Sequence, residues 1–430
     1  MTHLRETPIP PRPFGRGPAG ILVFLLVEYF DELVFTIVGV AMPFLRDDLG
    51  LDYVQIGILL GLPAILAAVL EPPLLLLGDT PLRGRLIRGG GLLLGFAFAL
   101  IGGAQSFPVL LLAMTLSYPA SGAFVGLSQA TMIERHPARE GEMMARWTAA
   151  GTLGSLSGPL LFASMLALGL TWRSTFLLCG AACLGLALLV RSPRPSDPAP
   201  LTWRTLTDDL RSNLQATVRL RQLWRWLLLL PLADLMLDVF FGYIALFLTD
   251  VIGLPPATAA VAVTIWLLGF LAGQFLLVRR LSRLEVRRVI RWTAAGTVIV
   301  YVVWLAAPLG TPVRLALMLL LGLLAAPWYP LLQAGAFAAA PGRAATVSAL
   351  TSVTGTLGGV LAVLAGAAAA SFGLTAGLAL LLLGPIALLI FAPSAEHAAV
   401  EQKSQAGRES EGRRRSTGKH GQDASQGPRH

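Results

Sequence analysis

Apolar residues fill twelve runs of the chain, and short polar or basic segments separate them. The runs cover approximately residues 20–45, 53–77, 86–104, 107–133, 143–168, 171–190, 224–249, 255–278, 289–307, 312–339, 344–370 and 372–392. A helix rises about 1.5 Å per residue, so ~20 residues cross a hydrocarbon core of roughly 30 Å. The pattern predicts an all-α polytopic membrane protein with twelve transmembrane helices. The first run departs from the others, because Glu28, Asp31 and Glu32 lie inside it. An ionisable group near the bilayer centre costs at least ~2.5–3.5 kcal/mol, and residues kept there at that cost mark a path for something polar.

Of the 430 residues, 55% are hydrophobic and only 13% charged, which excludes a soluble globule. The formal net charge of +9 does not point to nucleic acid, since the basic residues fall in short clusters between apolar runs. With the N-terminus inside, the inner segments up to residue 392 hold 23 Arg, and the outer loops hold only Arg46, Arg173 and Arg314. Positively charged loops resist translocation, so both termini are expected in the cytoplasm. The Pro-rich start leads straight into a full-length run, and the first helix is expected to be retained rather than cleaved. Cys179 and Cys183, an i,i+4 pair within the sixth run, are read as packed small residues, because two thiols alone make a poor metal site.

The chain repeats itself at a shift of about 203 residues. Asp31 falls on Asp234, Asp47 on Asp250, and Arg85-Leu86-Ile87-Arg88 on Arg288-Val289-Ile290-Arg291. At 204, Pro108 meets Pro312, Pro137 meets Pro341, and Gly151-Thr152-Leu153-Gly154 meets Gly355-Thr356-Leu357-Gly358. Tyr118-Pro119 and Tyr329-Pro330 coincide only at 211, which marks an indel. Ordered coincidences at nearly one spacing predict two pseudo-symmetric six-helix bundles. The expected organisation is a cytoplasmic segment 1–19, a first bundle 20–190, a linker 191–223, a second bundle 224–392 and a tail 393–430. The linker is expected to include a surface helix. The tail has too little apolar surface to order itself.

Twelve spans in two parallel repeats, a basic loop after the second span and a longer central loop resemble the major facilitator superfamily over residues 20–392. That family's loop between helices 2 and 3 has a Gly-x-x-x-Asp-Arg-x-Gly-Arg-Arg character. Gly78 to Arg85 here keeps Asp79 and Arg83-Gly84-Arg85, but Asp79 to Gly84 is two residues longer and Leu75 replaces the leading Gly. The resemblance implies a gating role for Asp79, Arg83 and Arg85. In the fifth span, Gly154-x-x-x-Gly158-Pro159 looks like the start of a motif of drug/proton antiporters in this superfamily, with Phe162 and Ala163 where that motif has two glycines. Ordinary small-residue packing is the competing reading of these glycines, while Pro159 deprives the helix of one hydrogen bond and allows a bend. The resemblance also implies a bacterial inner-membrane location and a central cavity beside helices 1 and 7.

The chemistry is expected to lie on those two helices. Glu28, Asp31 and Glu32 share one face of the first, and Asp234 and Asp238 share one face of the seventh. No Lys, His or mid-depth Arg is available within the spans to pair with them. A carboxyl group that lacks a cationic partner in a low-dielectric cavity takes up a proton more readily than one in water, which makes it a proton carrier. Asp31 and Asp234 are expected to exchange protons, with Glu28, Glu32 and Asp238 tuning them or meeting a cationic substrate. The alternative is that some of these acids hydrogen-bond a neighbouring helix or face water passively. Glu71 and Glu134, near inner span ends, are read as solvated or paired with loop arginines. Gln129 could line the cavity or bond another helix. Trp266, and Trp328 with Tyr329, are candidates for stacking on an apolar or cationic ligand, with packing as the competing role.

These features predict a proton-coupled secondary transporter, more consistent with export of a small amphipathic or cationic compound than with uptake. Its expected partners are that small molecule, protons and membrane lipid, with no nucleic acid and no cofactor, and it is expected to act as a monomer. Co-binding of proton and substrate would instead give uptake of an organic solute. An integral membrane enzyme lacks tools here, since all five histidines lie outside the spans and neither a nucleophile elbow nor a phosphate loop is present. A channel fits duplicated halves less well than alternating access does.

Overall fold

A computed structural model describes residues 18–78, 82–136, 139–190, 219–280, 285–340 and 344–393. Twelve helices cross it: α1 (Pro18–Leu49), α2 (Tyr53–Leu77), α3 (Arg83–Gly103), α4 (Phe107–Glu134), α5 (Glu140–Ala167) and α6 (Trp172–Leu189), followed by α7 (Arg221–Asp250), α8 (Pro256–Arg280), α9 (Val286–Ala306), α10 (Thr311–Ala339), α11 (Ala344–Phe372) and α12 (Leu374–Phe391). Each begins and ends within a few residues of an apolar run. Eleven are long and apolar enough to span a membrane outright. The exception is α1, where Glu28, Asp31 and Glu32 in its middle and Arg46, Asp47 and Asp48 near its end charge every stretch of spanning length. Residues 1–17, most of the linker (191–218), Asp79 and the tail beyond 393 lie outside the described residues.

Helix neighbours repeat between the halves, as the internal repeat predicts. In the first half α1 packs on α5, α2 on α4 and α3 on α6; in the second α7 packs on α11, α8 on α10 and α9 on α12. Regular geometry breaks at matched places. A π turn (Gly122–Gly126) follows Tyr118-Pro119 in α4, and a turn at Ala326 and Pro327 interrupts α10 just before Tyr329-Pro330. A second π turn (Leu235–Val239) interrupts α7 after Pro231. A π turn holds one extra residue, so it redirects the side chains beyond it.

Glycine sets how closely the helices approach. On α5, a methyl group at Gly154 would overlap the Tyr29 carbonyl, and one at Gly158 would overlap the Thr36 hydroxyl, so both residues press against α1. The repeat-related positions do not make the same seam: Gly358, the mate of Gly154, makes only ordinary contact with Pro231, Ala362 stands where Gly158 would fall, and Gly355, the mate of Gly151, has nothing near it. Instead, Gly359 and Gly366 of α11 turn across to the other half and meet Gly61 and Gly57 of α2. This α2–α11 seam runs toward the end of the bundle where α1 and α7 finish. There Arg46 pairs with both Asp47 and Asp250, and the Tyr53 hydroxyl donates to Asp250 at 2.5 Å. Asp47 and Asp250 are the repeat-related acids, so one guanidinium ties together the equivalent ends of the two halves.

Candidate functional site

Below that seam lies a cavity of about 190 Å³. Its wall comes from α1 (Asp31, Phe35, Gly39), α2 (Leu60, Glu71), α3 (Phe98), α4 (Ser117, Tyr118, Ser121) and α7 (Asp238, Phe241), with apolar residues between them. The cavity is roofed where α1, α2 and α7 come together: a methyl group at Gly39 would strike the Phe241 ring, and Gly242 packs on Leu60.

The three acids in the middle of α1 each meet a different residue. The Ser121 hydroxyl of α4 donates to Asp31 at 2.8 Å, and the Ser155 hydroxyl of α5 donates to Glu32 at 2.7 Å. Glu28 lies beside the Trp147 indole and against Gly151, where any side chain would displace it. The π turn of α4 begins just past Ser121, and its first residue, Gly122, leaves the space that the Glu71 carboxyl fills. On α7, Asp234 immediately precedes the π turn and Asp238 lies within it. Asp238 is exposed at the cavity wall and lies within electrostatic range of Glu32. Tyr118 is similarly within range of Asp31, Glu71 and Asp238, and Tyr329 of Asp234 and Asp238. Among the described residues, none of these six carboxylates forms an ion pair; the pairs present lie toward the helix ends, such as Arg83 with Glu134 and Arg173 with Asp48.

Residues 24–363 match the sequence model of the Major Facilitator Superfamily. The chain belongs to this superfamily. No curated protein sequence matches it. Among solved structures it is similar to a bacterial homologue of the human lysosomal transporter Spinster in an inward-facing, unoccupied conformation, with a TM-score of 0.68 at 17% identity over 86% of this chain and 95% of that one. It is also similar to the nucleoside transporter NupG, with a TM-score of 0.65 at 14% identity over 86% of this chain and 97% of that one. At these identities the likeness shows the fold.

Within this superfamily fold, the other residues singled out from the sequence are dispersed. Trp266 stands one layer behind the cavity, its ring 5.8 Å from Phe241 and 5.6 Å from Phe270. Trp328 is fully buried and donates its indole N–H to Thr293 of α9 at 2.9 Å. Gln129, half-buried on α4 beyond the π turn, is not part of the cavity wall, and neither are Asp234, Glu28 and Glu32. Gly154 and Gly158 belong to the α1–α5 seam, Pro159 is buried next to Gly158, and Arg85 is exposed at the start of α3.

Reading the sequence alone missed three participants. Glu71, assigned there to the membrane interface, lines the cavity without a basic partner among the described residues, and Ser121 and Ser155 hold two of the acids. The one signal for Ser121 was its place as the lone hydroxyl residue between Tyr118-Pro119 and Gly122.

Proposed function

We propose that this chain is a proton-coupled secondary transporter of the bacterial plasma membrane that exports a small amphipathic or cationic compound by alternating access. One observation carries the reading: Asp31 from the first half and Asp238 from the second line the same cavity, and neither has a basic partner among the described residues. Transport itself follows from the superfamily and the duplicated twelve-helix architecture. Coupling rests on competition. A cationic cargo replaces the proton on an aspartyl group at the cavity wall, and a proton from the other side of the membrane replaces the cargo. The aromatic rings of Phe35, Tyr118 and Phe241 supply apolar surface and cation–π partners for the body of such a molecule. Asp31, Asp234 and Asp238 are the proposed exchanging groups, with Glu28 and Glu32 setting the local field.

The Arg distribution of the loops puts the Arg46–Asp250 latch and the α2–α11 seam on the outer side, which makes this arrangement the outward-closed one. The gate toward the cytoplasm then involves the start of α3, where Arg83 binds Glu134 at the end of α4. In inside-out vesicles with an imposed proton gradient, lipophilic cations are expected to release protons from the lumen in the wild type and in Glu134→Gln, but not in Asp31→Asn. Proton movement in the opposite sense on adding substrate would mean uptake, and an unaltered response in Asp31→Asn would refute coupling at this cavity.

A further inference from the structure

On the far side of the second half, a groove of about 700 Å³ opens between the first turns of α7, the start of α9, the middle of α11 and the end of α12. Its walls are Leu228, Leu232, Leu357, Ile390 and Phe391, and four of these five side chains are exposed. Two basic residues stand at one end. Arg225 is exposed one turn into α7, and Arg287 is half-buried in the first turn of α9.

Neither arginine has an acidic partner among the described residues. The one acid at the start of α9, Glu285, pairs with Arg288 instead, at 3.6 Å. Arg287 also has a buried Nε–H with no acceptor, and a buried donor of that kind costs about 1–3 kcal/mol when left unmade. Two helix N-termini, those of α7 and α9, point their partial positive charge at the same end. An occupant of this groove must therefore bring a negatively charged acceptor to the bilayer surface and an apolar portion that runs toward the bilayer midplane. Leu232 lies eleven residues along α7, about 16 Å from its start, roughly the depth of one leaflet's acyl chains.

We propose that this groove binds an anionic phospholipid, its phosphate between Arg225 and Arg287 and one acyl chain along Leu228, Leu232 and Leu357. The site is separate from the central cavity and does not depend on what the cavity carries. It makes the second half sensitive to lipid charge at α7, the helix that also bears Asp234 and Asp238.

Native mass spectrometry of the full-length protein in detergent, titrated with phosphatidylglycerol or phosphatidylcholine, tests the assignment. Wild type and the control Arg288→Gln are expected to bind phosphatidylglycerol in preference to phosphatidylcholine. The double variant R225Q/R287Q is expected to lose affinity for phosphatidylglycerol by roughly 30-fold, the loss for two basic contacts at a membrane surface. Leu228→Trp keeps both charges but fills the groove, so it decides the matter if the double variant fails to fold, and it too is expected to lose the lipid. Equal binding of the two lipids by wild type, or undiminished phosphatidylglycerol binding in a folded Leu228→Trp or R225Q/R287Q protein, overturns the proposal.

Discussion

Hydroxyl groups divide the polar residues of the spans into two kinds that sequence cannot separate. Thr36, Thr152 and Ser164 each return their hydrogen bond to a carbonyl of their own helix, whereas Ser121 and Ser155 reach another helix and hold a carboxylate. Spacing and composition are the same for both, so only packing tells them apart. The acids themselves were legible because their insertion cost singles them out. Glu71 was misread because distance along a helix says nothing of how far a cavity reaches toward that helix's end. A hydrogen bond to a charged group is worth ~1.5–3 kcal/mol, so Ser121→Ala is expected to slow transport about tenfold or more. Ser164→Ala, measured in the same uptake or efflux assay, leaves the rate unchanged.

At the scale of elements, hydropathy was enough to place all twelve helices, because a bilayer leaves the backbone few other ways to satisfy its polar groups. The π turns of α4 and α7 left no such trace, since no residue type encodes an extra residue in a turn. Pro119 and Pro231 just upstream are their nearest signal. The repeated string Gly-Thr-Leu-Gly also misleads if read as a repeated contact. Its first copy ends in Gly154, locked against α1, and its second copy, on α11, meets almost nothing. Thermal unfolding in detergent should separate the two. Gly158→Ala and Gly154→Ala force a methyl group into α1 and are expected to destabilise by about 1–3 kcal/mol. Gly355→Ala, set in open space on a helix, is expected to be neutral or to stabilise by up to ~1 kcal/mol.

For the whole molecule, the two halves meet through a glycine seam and a latch built from repeat-related ends. Breaking the latch leaves each half intact, so its effect is on the balance between conformations. An incompletely buried ion pair contributes about 1 kcal/mol, which shifts a two-state equilibrium by roughly fivefold. Arg46→Ala and Asp250→Asn are therefore expected to increase labelling of a cysteine placed at Ser117 in the cavity by a membrane-impermeant maleimide applied from the latch side. Cys179 and Cys183 are buried and contribute little background. The internal repeat announced the two halves. It did not announce which end is sealed, because both conformations of a rocking pair use one sequence.

If carboxyl groups of both halves trade protons for cargo in one shared cavity, cation binding and proton release are a single event. Proton release on binding tests this exchange without a membrane: tetraphenylphosphonium added to the purified protein in weakly buffered detergent, with binding followed in parallel by calorimetry. Wild type is expected to release protons as the cation binds, and Asp31→Asn and Asp238→Asn each to diminish the release, while Glu134→Gln leaves it unchanged. Tight binding of the cation with no proton released, or the same release in all four proteins, would contradict this exchange.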